Sequence, residues 1–251
     1  MIDFHTHILP HLDDGAKDTM MAKAMLEAER KQGVTDVLFT PHYYGRRHSP
    51  SHFIEKRNAA WAHLQPNVPA GLTVHLGAEV HFTGVNVPDY DELCKLAIGN
   101  TKYILIEFPF TNKWTHDLLE KLGDFVYETG YTPIIAHVER YREVLGRPSY
   151  LTELIDMGCL LQVNASAFEM KKERGLALSM LKRGWIHCIG TDTHDMGIRK
   201  PNLLAAKNAM EEAGFGESWD KIQVKMQAIL RGEEVKPQMD KPIKKFFGKY
   251  I

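Results

Sequence analysis

A chain of 251 residues, 44% hydrophobic and 25% charged, has ordinary globular composition and enough length to bury a substantial core. Its 31 basic and 32 acidic side chains nearly cancel, which excludes a general attraction to nucleic acid. No leader pattern opens the chain, no apolar run approaches a spanning helix, and Cys94, Cys159 and Cys188 lie too scattered for a disulfide framework; a cytoplasmic location with reduced thiols is expected.

In chain order, a short apolar strand at 2–4 runs into His5-Thr6-His7. A helix over 18–32 follows, with Asp18 or Thr19 as N-cap and Met21, Met25 and Ala28 at helical spacing; Gly33 can close it. The strand at 37–40 leads into Thr40-Pro41-His42, and that at 74–78 into Glu79. A strand at 103–106 ends at Glu107. Leu118, Leu122 and Phe125 line a helix that stops near Gly130, and the strand at 133–136 delivers His137. Leu151, Leu154 and Ile155 precede Gly158 and the strand at 160–163. Met180 and Leu181 precede Gly184 and the strand at 186–190, which leads to Asp192-Thr193-His194.

Seven apolar strands alternating with helices predict an α/β fold with a parallel sheet covered on both faces, closed or distorted into a barrel. No glycine-rich phosphate loop follows the first strand, which argues against a nucleotide-binding sheet. Residues 1–235 read as one barrel domain and 236–251 as a basic C-terminal tail.

Six of the seven strands carry a metal-capable side chain at the C-terminal end, where barrels of this kind place their active sites. His5 and His7 stand two apart and share a face of the strand, as do Asp192 and His194. The eight candidates His5, His7, His42, Glu79, Glu107, His137, Asp192 and His194 exceed the ~4 to 5 donors one ion takes, so two or three ions sharing carboxylates are expected. Glu107 lies in an apolar run, where an unpartnered carboxylate is costly and calls for a metal or a cation. His63 and His75, by contrast, read as surface or hydrogen-bonded residues.

Mixed imidazole and carboxylate donors suit zinc, manganese or iron(II), and closely spaced ions favour phosphoester hydrolysis, with amide hydrolysis possible from the donors alone. Arg140, three residues beyond His137, and Arg199, five beyond His194, leave the same barrel face and either fork onto phosphate oxygens or stand as solvated surface arginines. Arg46, Arg47 and His48 form a polar rim with a weak steering role. Asp14 either hydrogen-bonds a ligand histidine or caps a turn. A cysteine phosphatase is excluded: the sixth residue after Cys94, Cys159 and Cys188 is Asn100, Ala165 and His194, never the arginine that mechanism needs.

The opening Ile2-Asp3-Phe4-His5-Thr6-His7-Ile8-Leu9-Pro10 with Asp13-Asp14-Gly15 resembles the PHP (polymerase and histidinol phosphatase) superfamily, and within it the bacterial protein-tyrosine phosphatases of capsule and exopolysaccharide operons. Thr40-Pro41-His42, Gly77-Ala78-Glu79, the strand around Glu107, and Ala136-His137 with Glu139-Arg140-Tyr141 extend the resemblance over essentially the whole chain. Phe39, Val138 and the stretch Thr191 to Asp195 depart from the pattern without removing a ligand. The resemblance implies a distorted (β/α)7 barrel of the PHP type, a trinuclear centre that is often manganese, and Arg140 and Arg199 as phosphate-binding residues. It also implies dephosphorylation of the phosphotyrosine tail of a bacterial tyrosine kinase that regulates capsule or exopolysaccharide synthesis. A small-molecule phosphatase, such as one acting on histidinol phosphate, is the alternative on the same scaffold; a metal-stabilised module without catalysis would have lost ligands, and none is lost. The basic end of the chain, with Phe246 and Phe247, reads as a short solvated tail, with weak contact to a membrane surface or to the kinase as a further option.

Overall fold

The structure is a computed structural model that describes residues 1–83, 89–110 and 113–251. Its strands are β1 (Ile2–Thr6), β2 (Asp36–Phe39), β3 (His42–Tyr43), β4 (Thr73–Leu76), β5 (Glu79–His81), β6 (Tyr103–Glu107), β7 (Thr132–Ile135), β8 (Leu160–Asn164), β9 (Cys188–Gly190), β10 (Lys245–Phe246) and β11 (Lys249–Tyr250). The helices are α1 (Thr19–Lys31), α2 (Pro50–Leu64), α3 (Tyr90–Cys94), α4 (His116–Thr129), α5 (Arg142–Gly146), α6 (Ser149–Asp156), α7 (Lys171–Lys182), α8 (Leu203–Glu212) and α9 (Gly216–Leu230).

Parallel pairing runs β1-β2-β4 in one sheet and β3-β5-β6-β7-β8-β9 in another. These are two halves of one ring. The sequence-predicted strands at 37–40 and 74–78 each split in two, because Pro41 has no N–H to donate and Gly77-Ala78 bends beside it. The ladder survives the break through Gly77 N donating to Phe39 O (2.8 Å) and Glu79 N to Pro41 O (3.1 Å). As a result His42 and Glu79 begin the upper segments rather than ending the lower ones, and they are cross-strand partners.

The other seam closes β9 against β1. Asp192 N donates to His5 O (2.8 Å), and His7 N to Thr193 O (2.9 Å). Gly190 permits this approach: a Cβ there would lie 2.4 Å from His5 Cβ. The expected seven-stranded distorted barrel is therefore present, with its distortion at the two kinked strands.

Local sequence explains the helices around it. Asp18 caps α1, its Oδ1 accepting from Met21 N at 2.7 Å. The buried face of α1 is Ala22, Met25, Leu26 and Glu29; Met21 and Ala28 flank it half-buried, one residue off the expected stripe. Gly130, at φ +65°, ends α4, whose Leu118, Leu122 and Phe125 are buried as their spacing predicts. Phe4, Leu105, Ile134 and Ile189 fill the interior; burying each such side chain contributes roughly 1.5–3 kcal/mol.

The C-terminal segment departs from the expected solvated tail. Its β10 and β11 form an antiparallel hairpin. Ile243 is buried, and Lys245 Nζ and Tyr250 Oη both donate to Leu145 O of α5. Met239, Phe246, Phe247 and Ile251 stay exposed. Among the described residues, no helix is long and apolar enough to cross a membrane.

Candidate metal centre

The eight sequence-predicted ligands converge at one end of the barrel. His5 Nε2 lies 3.1 Å from His7 Nε2, and each lies 3.3 Å from Glu79 Oε2. Asp192 Oδ1 completes the set at 3.7 Å from His5 Nε2 and 3.5 Å from His7 Nε2. Donors bound tetrahedrally to one ion at ~2.1 Å stand about 3.4 Å from each other, so each carboxylate oxygen has, to the two imidazole nitrogens, the spacing of donors that share an ion.

Two further groups adjoin it. His137 Nε2 lies 2.9 Å from Glu79 Oε1 and 3.5 Å from Glu107 Oε1. His42 and His194 each direct Nε2 at Asp14 Oδ1, at 3.4 Å and 3.3 Å. Glu79 thus faces two of the groups through its two oxygens, as a bridging carboxylate does. His42 Nδ1 also sits 2.9 Å from Glu79 Oε2, yet among the described residues neither atom has hydrogen-bond geometry to a partner, and buried His137 Nδ1 and His194 Nε2 are likewise without one. Donor atoms that crowd together without bonding to one another suit divalent ions, and the mixed imidazole–carboxylate set fits them chemically.

The backbone carries strain at two of these positions. His137 (φ +33°) and Asp192 (φ +55°) occupy the left-handed region, which for residues other than glycine costs on the order of 1 kcal/mol or more. Each stands two residues past the end of its strand, β7 ending at Ile135 and β9 at Gly190.

Hydrogen bonds fix the ligands from behind. Asp13 Oδ2 receives His7 Nδ1 at 2.7 Å and the His42 backbone N–H at 2.9 Å, while Oδ1 receives Gly15 N at 3.0 Å. Burial raises the Asp13 pKa, but the charge and hydrogen bond of His7 with the two backbone donors outweigh it and hold it at about 2. An ionised Asp13 keeps the His7 proton on Nδ1 and leaves Nε2 free to ligate. On the opposite side, Gln162 Oε1 receives His137 N at 2.6 Å and sits 3.3 Å from His5 Nδ1. Gln162 Nε2 donates to Asn164 Oδ1, and Asn164 Nδ2 to Asp192 Oδ2 at 2.9 Å. Asp3 ties β1 to β9 by accepting from Thr191 N and Oγ1. Glu139, behind His137, is pushed up to about 8 by burial and so is neutral there at pH 7.

Both predicted arginines reach the cluster through Asp192. Arg140 Nη1 bonds Oδ2 at 2.8 Å, and Arg199 Nη2 contacts Oδ1 at 2.6 Å. A cavity of about 590 Å³ opens above, lined by His42, Glu79, Glu107, His137 and Asp192, both arginines, Arg46 and Arg47. His75 instead pairs with Asp36 at 3.0 Å, and His63 is exposed; neither joins the site.

Of the two roles left open for Asp14, the geometry selects the side chain facing the histidines, and it is Asp13 that braces one from behind. Gln162 and Asn164 escaped the sequence reading although β8 carries a signal, two polar residues on one face of the apolar run Leu-Leu-Gln-Val-Asn. His81 escaped too; it lies two residues past Glu79, pairs across strands with Glu107, and places Nδ1 3.2 Å from Glu107 Oε2.

The family model for capsular polysaccharide synthesis, CpsB/CapC, matches residues 1–230. Tyrosine-protein phosphatase YwqE of Bacillus subtilis (strain 168) is 30% identical over 256 residues, 99% of each chain. Tyrosine-protein phosphatase CpsB of Streptococcus agalactiae (serotype III, strain NEM316) is 30% identical over 219 residues, covering 82% of this chain and 88% of that one. Among solved structures, one from the work on YwqE of Bacillus subtilis and CpsB of Streptococcus pneumoniae, described as unique metal-dependent tyrosine phosphatases, superposes with a TM-score of 0.82 at 27% identity, over 98% of this chain and 100% of that one.

Proposed function

This chain belongs to the CpsB/CapC family of capsular polysaccharide synthesis, and from that premise we propose how its residues carry out phosphotyrosine hydrolysis. The protein is a metal-dependent tyrosine phosphatase. The observation that carries the reading is the convergence of four donor atoms, His5 Nε2, His7 Nε2, Glu79 Oε2 and Asp192 Oδ1, with the Asp192 carboxylate also paired to the two guanidinium groups that line the cavity.

In this reading the residues would hold two to three divalent ions, with manganese preferred over zinc or iron. His5, His7, Glu79 and Asp192 would hold one, Glu79, Glu107 and His137 a second, and Asp14, His42 and His194 a third. Bound there, the ions would activate water and take up negative charge on the phosphoryl oxygens. Arg140 and Arg199 orient the phosphate: each is about a third exposed toward the cavity and can exchange part of its contact with Asp192 for phosphate oxygens. Arg46 and Arg47 at the rim draw in an acidic phosphopeptide, and the substrate is the tyrosine-phosphorylated tail of a kinase controlling capsule or exopolysaccharide export.

A small-molecule phosphatase acting on histidinol phosphate needs a carboxylate free to recognise the amine. Among the described residues, the carboxylates lining the cavity are Asp14, Glu79, Glu107 and Asp192, all members of the ligand groups. Peptide substrates are favoured accordingly.

The test strips the protein of metal, restores manganese, zinc or magnesium in turn, and follows phosphate release from a phosphotyrosine peptide and from histidinol phosphate. Release from the peptide that depends on metal, and falls about a hundredfold or more in kcat/KM in Arg140→Ala and Arg199→Ala, is expected. Preference for histidinol phosphate would overturn the substrate assignment. Full peptide turnover by the stripped protein would overturn the metal mechanism.

A further inference from the structure

The cavity has two walls of the same construction. On one, the Arg47 guanidinium lies 4.9 Å over the Tyr44 ring, and that ring meets His42 at 5.4 Å and 36°. On the other, Arg140 lies 4.8 Å over the Phe110 ring, which stacks on His137 at 5.2 Å and 28°. Each wall is therefore an arginine, an aromatic ring and a candidate metal ligand in series. We infer that Tyr44 and Phe110 form an aryl-binding subsite that selects the phenyl ring of a phosphate ester over an alkyl group, an inference that rests on the phosphatase reading above.

Three observations support it. Phe110 is 38% exposed, and the surface it shows belongs to the cavity. Its ring is held by Arg140 and by stacks on His137 and buried Tyr141, the last at 5.1 Å and 26°, so it presents a fixed aromatic edge with little ordering cost. Val80, Phe82, Leu93 and Pro109 continue the apolar lining beside it.

The placement also fits an aryl phosphate. Arg140 bonds Asp192 through Nη1 while its carbon end covers Phe110, so one guanidinium separates the phosphate-binding position from the ring. In phenyl phosphate a single ester oxygen separates phosphorus from the aromatic carbon. A phosphate held by Arg140 and Arg199 thus leaves its aryl group near the edge of Phe110, with Tyr44 lining the same cavity.

A purely structural role, in which the rings only steady His42 and His137, would weaken binding of every phosphate compound alike. The ratio of two affinities separates the cases. Isothermal titration of manganese-loaded protein with phenylphosphonate and methylphosphonate should give wild type a preference for the phenyl compound of about tenfold or more. Phe110→Ala and Tyr44→Ala should each shrink that ratio by about three- to tenfold, and Tyr44→Phe should keep it. Phe110→Leu preserves bulk without a flat face and covers the chance that the alanine variant fails to fold; it too should lose the preference. Equal affinity of wild type for the two compounds, or an unchanged ratio in the alanine and leucine variants, sinks the subsite. Because binding is read directly, the phosphatase reading fails separately, if the same metal-loaded wild type releases no phosphate from a phosphotyrosine peptide.

Discussion

The two ends of this barrel handle buried polar groups in opposite ways. At the C-terminal end, histidines and carboxylates from six strand positions crowd within ion-binding distance of one another, and several of their atoms have no hydrogen-bond partner. Toward the N-terminal end of β9, His187 is just as buried but stands apart from other candidate ligands: its Nδ1 accepts the Leu161 N–H at 3.0 Å, and its Nε2 has no hydrogen-bond partner among the described residues. Burial lowers its pKa to about 3, so it stays neutral. One end gathers carboxylates and imidazoles that cations can balance; at the other, burial and the nearby Lys225 ammonium keep a single imidazole uncharged. The lesson is that an unsatisfied buried nitrogen signals a ligand only where other donors point at the same spot.

Breaking the crowded end should have the largest effect. Glu79 faces two of the ligand groups, so Glu79→Ala is expected to remove bound metal and lower kcat/KM by about a thousandfold or more, roughly 4 kcal/mol of transition-state stabilisation. Metal content by mass spectrometry beside phosphotyrosine-peptide kinetics checks this, and full metal occupancy in the variant would show that Glu79 does not bridge. A subtler change leaves all ligands in place. Asp13→Asn should reduce metal affinity about 10- to 100-fold by loosening the His7 tautomer and orientation, measured by chelator competition; unchanged affinity would reduce Asp13 to a turn residue.

The solitary end should show itself in pH dependence. Below about pH 6.5 the unfolded chain protonates His187 and the folded one does not, so the unfolded state binds more protons and stability falls as pH drops toward about 3. The loss contributed by this group is roughly 1.4 kcal/mol per pH unit. In His187→Asn, whose amide oxygen can take over the Leu161 N–H, metal-free protein should lose that much slope between pH 6 and 4 in urea titrations. Identical slopes would mean that His187 gains a proton in the folded state.

Much of this was legible in the sequence because it is local. Period-2 pairs such as His5 and His7, glycines after helical stretches, and a carboxylate in an apolar strand each carry their meaning within a few residues. Asp13 and Asp14 stand side by side in one turn, and nothing local says which braces and which faces the cluster. Likewise Tyr44 and Phe110 look like ordinary aromatic loop residues until the barrel sets each against a ligand histidine.

By itself, then, the sequence determined the repeating strand–helix order, the end of the barrel that carries the chemistry, and the donor types that make it a divalent-metal site. Only the tertiary structure decided that His42 and Glu79 are paired across strands, that Glu79 faces two groups at once, and that His137 and Asp192 turn inward through left-handed backbone. The reason is one of scale. Coordination requires atoms from distant parts of the chain to lie about 3.4 Å apart, and that spacing is set by strand register and by closure of β9 on β1, not by any periodicity within a single segment.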